Sequence, residues 1–469
     1  MTTAPTKLIS ILLALALVAA ACSGDNDEPA AADAPPASPS PVPTPRSFPA
    51  APLDVADGDL PPAADEAIRG VLNSLELGFG AEPFAAIAEA GDVRAAWFLS
   101  DLLRFVQGTP QSEPMVAAAE ALTGQTLDRQ RSWGALTDLL IAWDLPDYPG
   151  YREHKGALFT ATDPRWSFVF ADPDAAIDYR LLSWGGVPID DRQLGDPERC
   201  PTGCIPALDD PALTPADEGG WYPDDAVVFG IEIDGETVAF PRNIMEVHEM
   251  VNMTIGGRRL GIPYCTLCGS AQAFFTDVVP GEVDGVDRPP VLRTSGLLSR
   301  SNKVMYDLDS RSVFDTFTGE AVNGPLREAG VVLPQATVVT TTWADWRETH
   351  PTTRIVAEDG GIGRSYDLDP LRGRDDDGPI FPIGNADDRL PVQEQVVGVI
   401  TADGTPVGFP AAAAREALAA GEEVEAEGIT LVAVGDGLAA EVDGDAIASH
   451  QAFWFAWSQF HPDTELWMP

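Results

Sequence analysis

The spacing of apolar residues divides the chain into a helical first part and a strand-rich second part. Between about residues 65 and 144, segments rich in Ala and Leu are separated by glycines, which commonly end helices. In the last segment, Trp133, Leu136, Leu140 and Trp143 recur at helical spacing and form one apolar stripe. The pattern predicts short helices packed as hairpins, over 85–90, 93–105, 115–122 and 127–143.

From about residue 196 the pattern is that of strands. The segments 226–233 and 237–240 flank Asp234-Gly235, a strong signal for a two-residue hairpin turn. Pro241 then begins a predicted helix that continues to Val251, with His248 on its apolar face. Two more predicted strands, 259–264 and 271–279, flank the motif Cys265-Thr-Leu-Cys268. The pattern therefore places this pair of thiols between strands.

The segment between these parts, residues 146–198, contains Pro, Tyr, Trp and Asp in irregular order. Aromatic residues among turn formers are typical of a segment that covers a neighbouring domain. We predict a connector packed on the strand-rich part, with His154 at the surface.

Two phrases of the sequence occur twice, in the same order. Residues 234–241 are echoed by 403–410, and residues 346–353 are echoed by 457–464. This recurrence predicts a duplicated unit whose second copy is shorter and lacks both thiols and the helix histidine. Because the Trp-to-His-Pro phrase survives in the copy without thiols, we expect His350 and His461 to end helices rather than take part in chemistry.

Together these patterns predict an α+β fold, in which an all-α helical-hairpin region is followed by a β-rich domain built from two related halves. The predicted organisation is a lipoprotein signal peptide at 1–22, a disordered tether at 23–62, a helical domain at 63–145, a connector at 146–198, a β-rich domain with the CxxC motif at 199–358 and a degenerate second copy at 359–469.

The charge of the chain argues against one class of partner. Seventy-three acidic and 29 basic residues give a formal net charge of −44, which repels nucleic acid phosphates. We therefore expect no nucleic acid partner. The acidic residues are spread along the chain, which is typical of a solvated surface.

The first residues resemble an export signal. An apolar run from Leu8 to Val18 follows Lys7 and is too short to span a bilayer as a helix. Cys22, after three alanines and before Ser23-Gly24, resembles the lipidated cysteine of bacterial lipoproteins. We expect an exported protein anchored to the outer face of the cell membrane through Cys22, and plain cleavage after Ala21 is the alternative. The Ala- and Pro-rich residues that follow are expected to form an extended tether.

Four other cysteines carry the candidate chemistry. Cys265 and Cys268 form a CxxC motif, and Cys200 and Cys204 form a second close pair. Such pairs can act as a redox dithiol, close as structural disulfides or bind zinc, copper or iron. The metal alternative uses Cys265 and Cys268 with either His248 or the pair Cys200 and Cys204, and the residues alone do not choose among these sites.

Other enzyme classes leave no signature in this sequence. It contains no serine-hydrolase elbow, no P-loop and no dinucleotide-binding glycine motif. His248-Glu249 resembles the start of a metalloprotease helix, but Asn252 occupies the position of the second histidine. Hydrolase and nucleotide chemistry are therefore disfavoured.

A series of phrases follows in one order: residues 203–211, 234–241, 248–252, 264–269, 295–302, 305–307 and 318–321. In this series the chain resembles the bacterial and archaeal family called domain of unknown function 3179, most strongly over residues 200–355. Some members are catalogued as selenoproteins with selenocysteine in the paired-thiol motif, so the resemblance implies redox chemistry at Cys265 and Cys268. Cys204 and Val247 depart from the family pattern.

The resulting prediction is a thiol-disulfide redox site. Cys265 is predicted as the nucleophile, Cys268 as the resolving thiol and His248 as the base or charge partner, while Ser295, Ser301 and Asn302 are candidate polar contacts. A metal-binding module and a structural protein with disulfide staples are the alternatives. The redox or metal-donor partner is not specified by the sequence.

Overall fold

The structure is a computed structural model that describes residues 47–196, 200–279, 288–373 and 378–469. The predicted signal peptide, Cys22 and residues 23–46 of the predicted tether lie outside these ranges. The chain folds into two compact units. The first contains residues up to 173 with 178–187 and 381–386, and the second contains 174–177, 188–380 and 387–469.

The first unit is the helical one, as predicted. Its core is made of large side chains such as Trp97, Phe98 and Trp166, each at most 1% exposed. Within the ranges that the structure describes, no helix combines the length and apolar character needed to cross a bilayer. The regular elements of this unit are α1 (Pro62–Asn73), α2 (Glu82–Ala90), α3 (Ala96–Val106), α4 (Glu113–Thr123), α5 (Ser132–Ala142), α6 (Tyr151–Thr162) and β1 (Leu182–Trp184).

The predicted apolar stripe lies on α5, but this helix begins later than expected. Trp133, Leu136 and Leu140 are buried, whereas Trp143 is half-buried and follows the helix end. The five residues 127–131 precede the helix because Leu127 donates its backbone N–H to the side chain of Glu120 and the chain then turns. A local side-chain acceptor thus replaces the first helical turn.

The predicted irregular connector contains helix α6, which the sequence pattern did not reveal. Tyr151, His154, Lys155, Leu158 and Phe159 line its buried face at positions i, i+3, i+4, i+7 and i+8. The period was obscured because a histidine and a lysine occupy two of these apolar positions. The prediction that His154 lies at the surface is therefore wrong, since it is 5% exposed.

The second unit is rich in short strands, which confirms the strand-rich part of the α+β prediction. Its helices are α7 (Arg242–His248), α8 (Gly324–Glu328), α9 (Trp343–Thr349), α10 (Ala411–Ala419) and α11 (Trp454–Phe460). Its strands are β2 (Leu208–Asp209), β3 (Leu213–Pro215), β4 (Val227–Ile233), β5 (Glu236–Pro241), β6 (Met250–Ile255), β7 (Arg258–Cys265), β8 (Ser270–Ala271), β9 (Ala273–Phe275), β10 (Leu292–Ser299), β11 (Asn302–Asp307), β12 (Val313–Asp315), β13 (Ala321–Asn323), β14 (Gln335–Ala336), β15 (Val339–Thr342), β16 (Arg354–Val356), β17 (Gln395–Ile400), β18 (Pro406–Pro410), β19 (Glu425–Ala426), β20 (Ile429–Val434), β21 (Gly437–Val442), β22 (Asp445–Ile447), β23 (Ser449–Phe453) and β24 (Glu465–Leu466).

These strands form five sheets in a propeller-like arrangement. The strand orders are β10-β11-β12-β13, β14-β9-β7-β6-β2 with β8 on β7, β15-β4-β5-β16-β3, β23-β17-β18-β24 and β19-β20-β21-β22. A buried ion pair connects the sheet of β10 to the sheet of β2. Arg293 of β10 donates to both carboxylate oxygens of Asp209 in β2, at 2.9 and 2.7 Å. Asn252 of β6 donates to the same carboxylate at 2.9 Å.

The two sequence phrases that recur occupy equivalent places in two of these sheets. Strand β4 pairs with β15 and β5, and β16 runs parallel to β5. In the same way β17 pairs with β23 and β18, and β24 runs parallel to β18. The hairpin phrase lies on β4–β5 and on β17–β18, so both copies of the phrase build the same local topology.

The Trp-to-His-Pro phrase also has one geometry in both sheets. Trp346 donates its indole N–H to Thr353 at 2.9 Å, and Trp457 donates to Thr464 at 2.8 Å. His350 and His461 directly follow the last residues of α9 and α11. Both histidines therefore end helices, as the sequence predicts.

Candidate functional site

The CxxC motif forms a tight turn between two strands. Cys265 is the last residue of β7, a 3₁₀ turn covers Thr266–Cys268, and β8 begins at Ser270. Gly269 has a φ of 57°, a left-handed conformation that favours glycine. The predicted placement between strands is confirmed, although the second predicted strand is split into β8 and β9. The motif continues into β8 and does not open a helix.

Both sulfurs of the motif are free and buried. Cys265 is 3% exposed and Cys268 is 0% exposed. The Sγ atoms lie 4.0 Å and 3.5 Å, respectively, from the carbonyl oxygen of Ser301, so the two thiols face one acceptor. The two sulfurs are thus held together against the turn that precedes β11.

A buried ion pair lies beside Cys265. Lys303 is the second residue of β11, and its Nζ lies 3.5 Å from Oε2 of Glu249 and donates to the backbone carbonyl of that residue. Glu249 follows α7 in a left-handed conformation, with a φ of 50°. Its other carboxylate oxygen accepts a hydrogen bond of 3.2 Å from Thr266 inside the CxxC turn. Glu249 therefore connects the lysine to the thiol turn.

These contacts give the two thiols different pKa values. Burial and the carboxylate of Glu249 act to raise the pKa of Cys265, but the neighbouring thiol of Cys268, the backbone N–H of Lys303 and its ammonium charge together hold that pKa below the ordinary thiol value. Burial, and then the neighbouring Cys265, raise the pKa of Cys268 well above the ordinary value. Cys265 is therefore the thiol that loses its proton first.

His248 lies on the buried face of α7, as predicted, but the helix ends at this residue rather than at Val251, because Glu249 turns the chain into β6. Its Nδ1 lies 2.7 Å from the carbonyl oxygen of Pro206, and its Nε2 lies 2.7 Å from the hydroxyl of Tyr366. Burial lowers the pKa of His248 to about 4. Both ring nitrogens thus face oxygen atoms, and the imidazole is neutral at pH 7.

The second cysteine pair is closed. Cys200 and Cys204 form a disulfide with their sulfurs 2.03 Å apart. Across 47–196, 200–279, 288–373 and 378–469, no group of three or more His, Cys, Asp or Glu side chains is arranged to hold a metal ion. The four cysteines therefore do not form one metal-binding ligand set.

The three candidate polar contacts occupy different positions. Ser295 donates its hydroxyl to the carbonyl of Val304 at 2.5 Å, so it joins β10 to β11. Ser301 provides the carbonyl that faces the thiols, and its hydroxyl accepts a hydrogen bond of 3.2 Å from Gln459. Asn302 is 1% exposed, and its amide has no hydrogen-bond partner among the described residues.

The sheet that contains β17 and β23 covers the thiol turn. A Cβ atom at Gly269 would lie 2.9 Å from the Phe453 ring and 2.9 Å from Nε2 of Gln395. Phe453 is on β23 and Gln395 on β17, where the two residues are paired. Gln459 of α11 contacts Ser301. Residues of β17, β23 and α11 therefore contribute to the surroundings of the thiols.

Lys303 and Glu249 are the site residues that sequence reasoning missed. Lys303 lies within the strand Asn302–Asp307, and a charged residue in a strand is usually predicted to face solvent. The available signal was its position directly after Ser301-Asn302 in a phrase that the resemblance had already singled out. Glu249 belongs to the incomplete metalloprotease motif and to the phrase 248–252 of the resemblance, neither of which assigns it a role at the thiols.

A comparison with family models matches residues 202–443 to a family described as a protein of unknown function, DUF3179. The matched segment contains the CxxC turn, Glu249, His248 and Lys303. Comparisons with curated proteins and with solved structures found no match.

Proposed function

Because this chain belongs to the DUF3179 family, whose description assigns no activity, we propose its function from the site itself: a thiol-disulfide redox centre at Cys265 and Cys268. The observation that carries the proposal is the pair of free, buried sulfurs that face the Ser301 carbonyl, with the ammonium of Lys303 beside one of them. A cation near one thiol of a CxxC pair is the feature that makes such a pair reactive.

In the reduced state the site holds two thiols. Cys265 loses its proton first and attacks an oxidised substrate, and Cys268 then attacks the sulfur of Cys265. The pair gives up two electrons and two protons and closes as a disulfide. We assign the cationic role to Lys303, because both ring nitrogens of His248 already face oxygen atoms.

A differential alkylation experiment tests these roles. The reduced protein is treated briefly with iodoacetamide at pH 7 and the modified cysteines are identified by mass spectrometry. Cys265 should be labelled first and Cys268 much more slowly, and oxidation should link the two residues to each other. Equal labelling, or faster labelling of Cys268, would contradict the assignment. The Cys200→Ser, Cys204→Ser double variant is the matched control, since it removes the other sulfur pair.

The proposal extends to location. An N-terminal signal, a lipid-modified Cys22 and a tether would place the redox unit on the outer face of the cell membrane. The disulfide between Cys200 and Cys204 supports an oxidising compartment, since such bonds persist outside the cytosol.

The sequence repeat supports a duplication in which the second copy has kept the scaffold and lost the thiols. A partner that returns electrons to the pair is required, and nucleic acid is not expected among its partners.

A further inference from the structure

The thiols are too enclosed for a large substrate. Disulfide exchange needs direct contact between the attacking sulfur and the sulfur that it attacks. With exposures of 3% and 0%, Cys265 and Cys268 offer no surface on which a protein disulfide could place its sulfurs in line. A small oxidant, by contrast, needs only space for a few atoms.

Besides the amide of Asn302, two buried polar groups close to the turn lack hydrogen-bond partners among the described residues. Ser270 lies directly opposite Cys265 in the pairing of β7 with β8, so both side chains point to the same side of the sheet. Its hydroxyl is buried and has no partner within the part of the chain that the structure describes. A hydroxyl donor therefore stands beside the more acidic thiol.

The second group comes from β23, which packs against β8. Phe453 of this strand covers Gly269, and Gln451 lies two residues earlier, so the two side chains point to the same face. Nε2 of Gln451 is buried, and no described residue accepts a hydrogen bond from it. Buried donors are nearly always bonded in folded proteins, so two such donors, one opposite Cys265 and one on the strand that covers Gly269, indicate an acceptor that comes from outside.

We propose that the dithiol reduces a hydroperoxide whose oxygen atoms are held at the CxxC turn by the Ser270 hydroxyl and the Gln451 amide. This inference rests on the proposed redox function. A hydroperoxide is a small two-electron oxidant that brings two acceptor oxygens, and it suits both the enclosure and the free donors.

The reaction balances without a further reagent. The Cys265 thiolate attacks the terminal oxygen of ROOH, an S–O bond forms, and the O–O bond breaks. The leaving RO⁻ takes the proton that Cys265 had released and departs as ROH. Cys268 then attacks the sulfenic sulfur, the S–S bond forms, and the hydroxide leaves as water with the proton of Cys268. Two thiols and one hydroperoxide give one disulfide, one alcohol and one water.

A single-turnover experiment tests the proposal on the full chain. The reduced protein is mixed with hydrogen peroxide, tert-butyl hydroperoxide or oxidised insulin, and loss of the two thiols is followed with time. We expect hydrogen peroxide to react fastest and insulin most slowly. The variants Ser270→Ala and Gln451→Met should each slow the peroxide reaction by about tenfold, the effect of one lost hydrogen bond. Their iodoacetamide rates should stay at the wild-type value.

Thr237→Val is the matched control. Its hydroxyl is also buried and lacks a partner among the described residues, but it lies on β5 in another sheet. This variant should react with peroxide at the wild-type rate. Unchanged peroxide rates in Ser270→Ala and Gln451→Met, or oxidation by insulin as fast as by peroxide, would overturn the inference.

Titration in dithiothreitol redox buffers distinguishes this failure from failure of the redox function. If the pair closes reversibly there but reacts slowly with peroxide, the redox function stands and the hydroperoxide proposal falls. If the pair does not close in either experiment, both are wrong.

Discussion

The ammonium of Lys303 lies 3.5 Å from the carboxylate of Glu249, and both side chains are enclosed beside Cys265. Burial lowers the pKa of Lys303, while Glu249 and the sulfur of Cys265 favour its charged form. The two members of this ion pair act on the thiol in opposite directions, because the cation lowers the pKa of Cys265 and the carboxylate raises it. The protonation of the thiol therefore depends on the balance between them.

Substitutions in this ion pair should move thiol reactivity in opposite directions. Lys303→Met removes the stabilising cation, so the pH midpoint of Cys265 alkylation should rise and the rate at pH 7 should fall several-fold. Glu249→Gln should lower that midpoint. Lys303→Arg keeps the charge and should restore most of the rate. The pH profile of iodoacetamide labelling measures all three, and shifts of the same sign in Lys303→Met and Glu249→Gln would show that the pair acts only through packing.

The stability of the protein should fall in acid partly because of His248. Burial lowers its pKa to about 4 in the folded state, against an ordinary value of about 6.5 in the unfolded chain. The unfolded chain therefore binds more protons between these values, and folding stability rises with pH across this window. From pH 7 to pH 5 this residue should cost roughly 2 kcal/mol of unfolding free energy.

Urea unfolding at both pH values measures this effect. The variant His248→Gln should be less stable at pH 7, because the contacts to Pro206 and Tyr366 are disturbed, but it should lose less stability on going to pH 5. An identical pH dependence in the wild type and the variant would mean that the imidazole is not held neutral in the folded state.

The glycine that closes the thiol turn should tolerate no side chain. Gly269→Ala would combine a left-handed backbone with a Cβ atom 2.9 Å from the Phe453 ring. Gly257 has a φ of 76° and open space around it, so Gly257→Ala carries only the backbone cost of roughly 1–2 kcal/mol. Thermal unfolding should show a larger loss of stability for Gly269→Ala than for Gly257→Ala. Gly269→Ala should also make the two thiols of the turn more accessible, so their alkylation should be faster. Equal losses of stability in the two variants would mean that Phe453 does not pack closely against the turn.

The two copies of the repeat should respond alike at their tryptophans. A Cβ atom at Gly230 would lie 2.4 Å from the Trp346 ring, and one at Gly398 would lie 1.9 Å from the Trp457 ring. Gly230→Ala and Gly398→Ala should each destabilise the protein by about 1–3 kcal/mol or more, the range for overpacked cores. Gly220→Ala is the control, because a Cβ atom there meets open space and the backbone is not left-handed. A neutral effect at only one of the two positions would argue against equivalent packing in the two copies.

Local patterns in the sequence predicted much of this molecule. Asp234-Gly235 specified the hairpin of β4 and β5, and the placement of Cys265 between strands followed from the apolar segments on either side of it. The recurring Trp-to-His-Pro phrase predicted the ends of α9 and α11. In each case the conformation is set by residues close in the chain, so a short pattern is sufficient.

What the sequence did not predict depends on distant residues. Lys303 is buried because Glu249, 54 positions away, accepts its hydrogen bond, and a strand pattern carries no trace of that partner. Lys155 lies on the buried face of α6 for the same reason, since Asp101 accepts a hydrogen bond from its ammonium at 2.7 Å. The cover that Phe453 provides over Gly269 depends on how two sheets pack, which no periodicity encodes.

The most direct test of the redox site combines three measurements on one purified sample: thiol count, metal content and reduction potential of the Cys265–Cys268 pair. We predict two titratable thiols after mild reduction, no stoichiometric metal and reversible closure at a potential above roughly −300 mV, where catalytic pairs lie. Stoichiometric zinc, copper or iron that disappears in Cys265→Ser, or a pair that cannot be closed and reopened, would contradict the redox assignment.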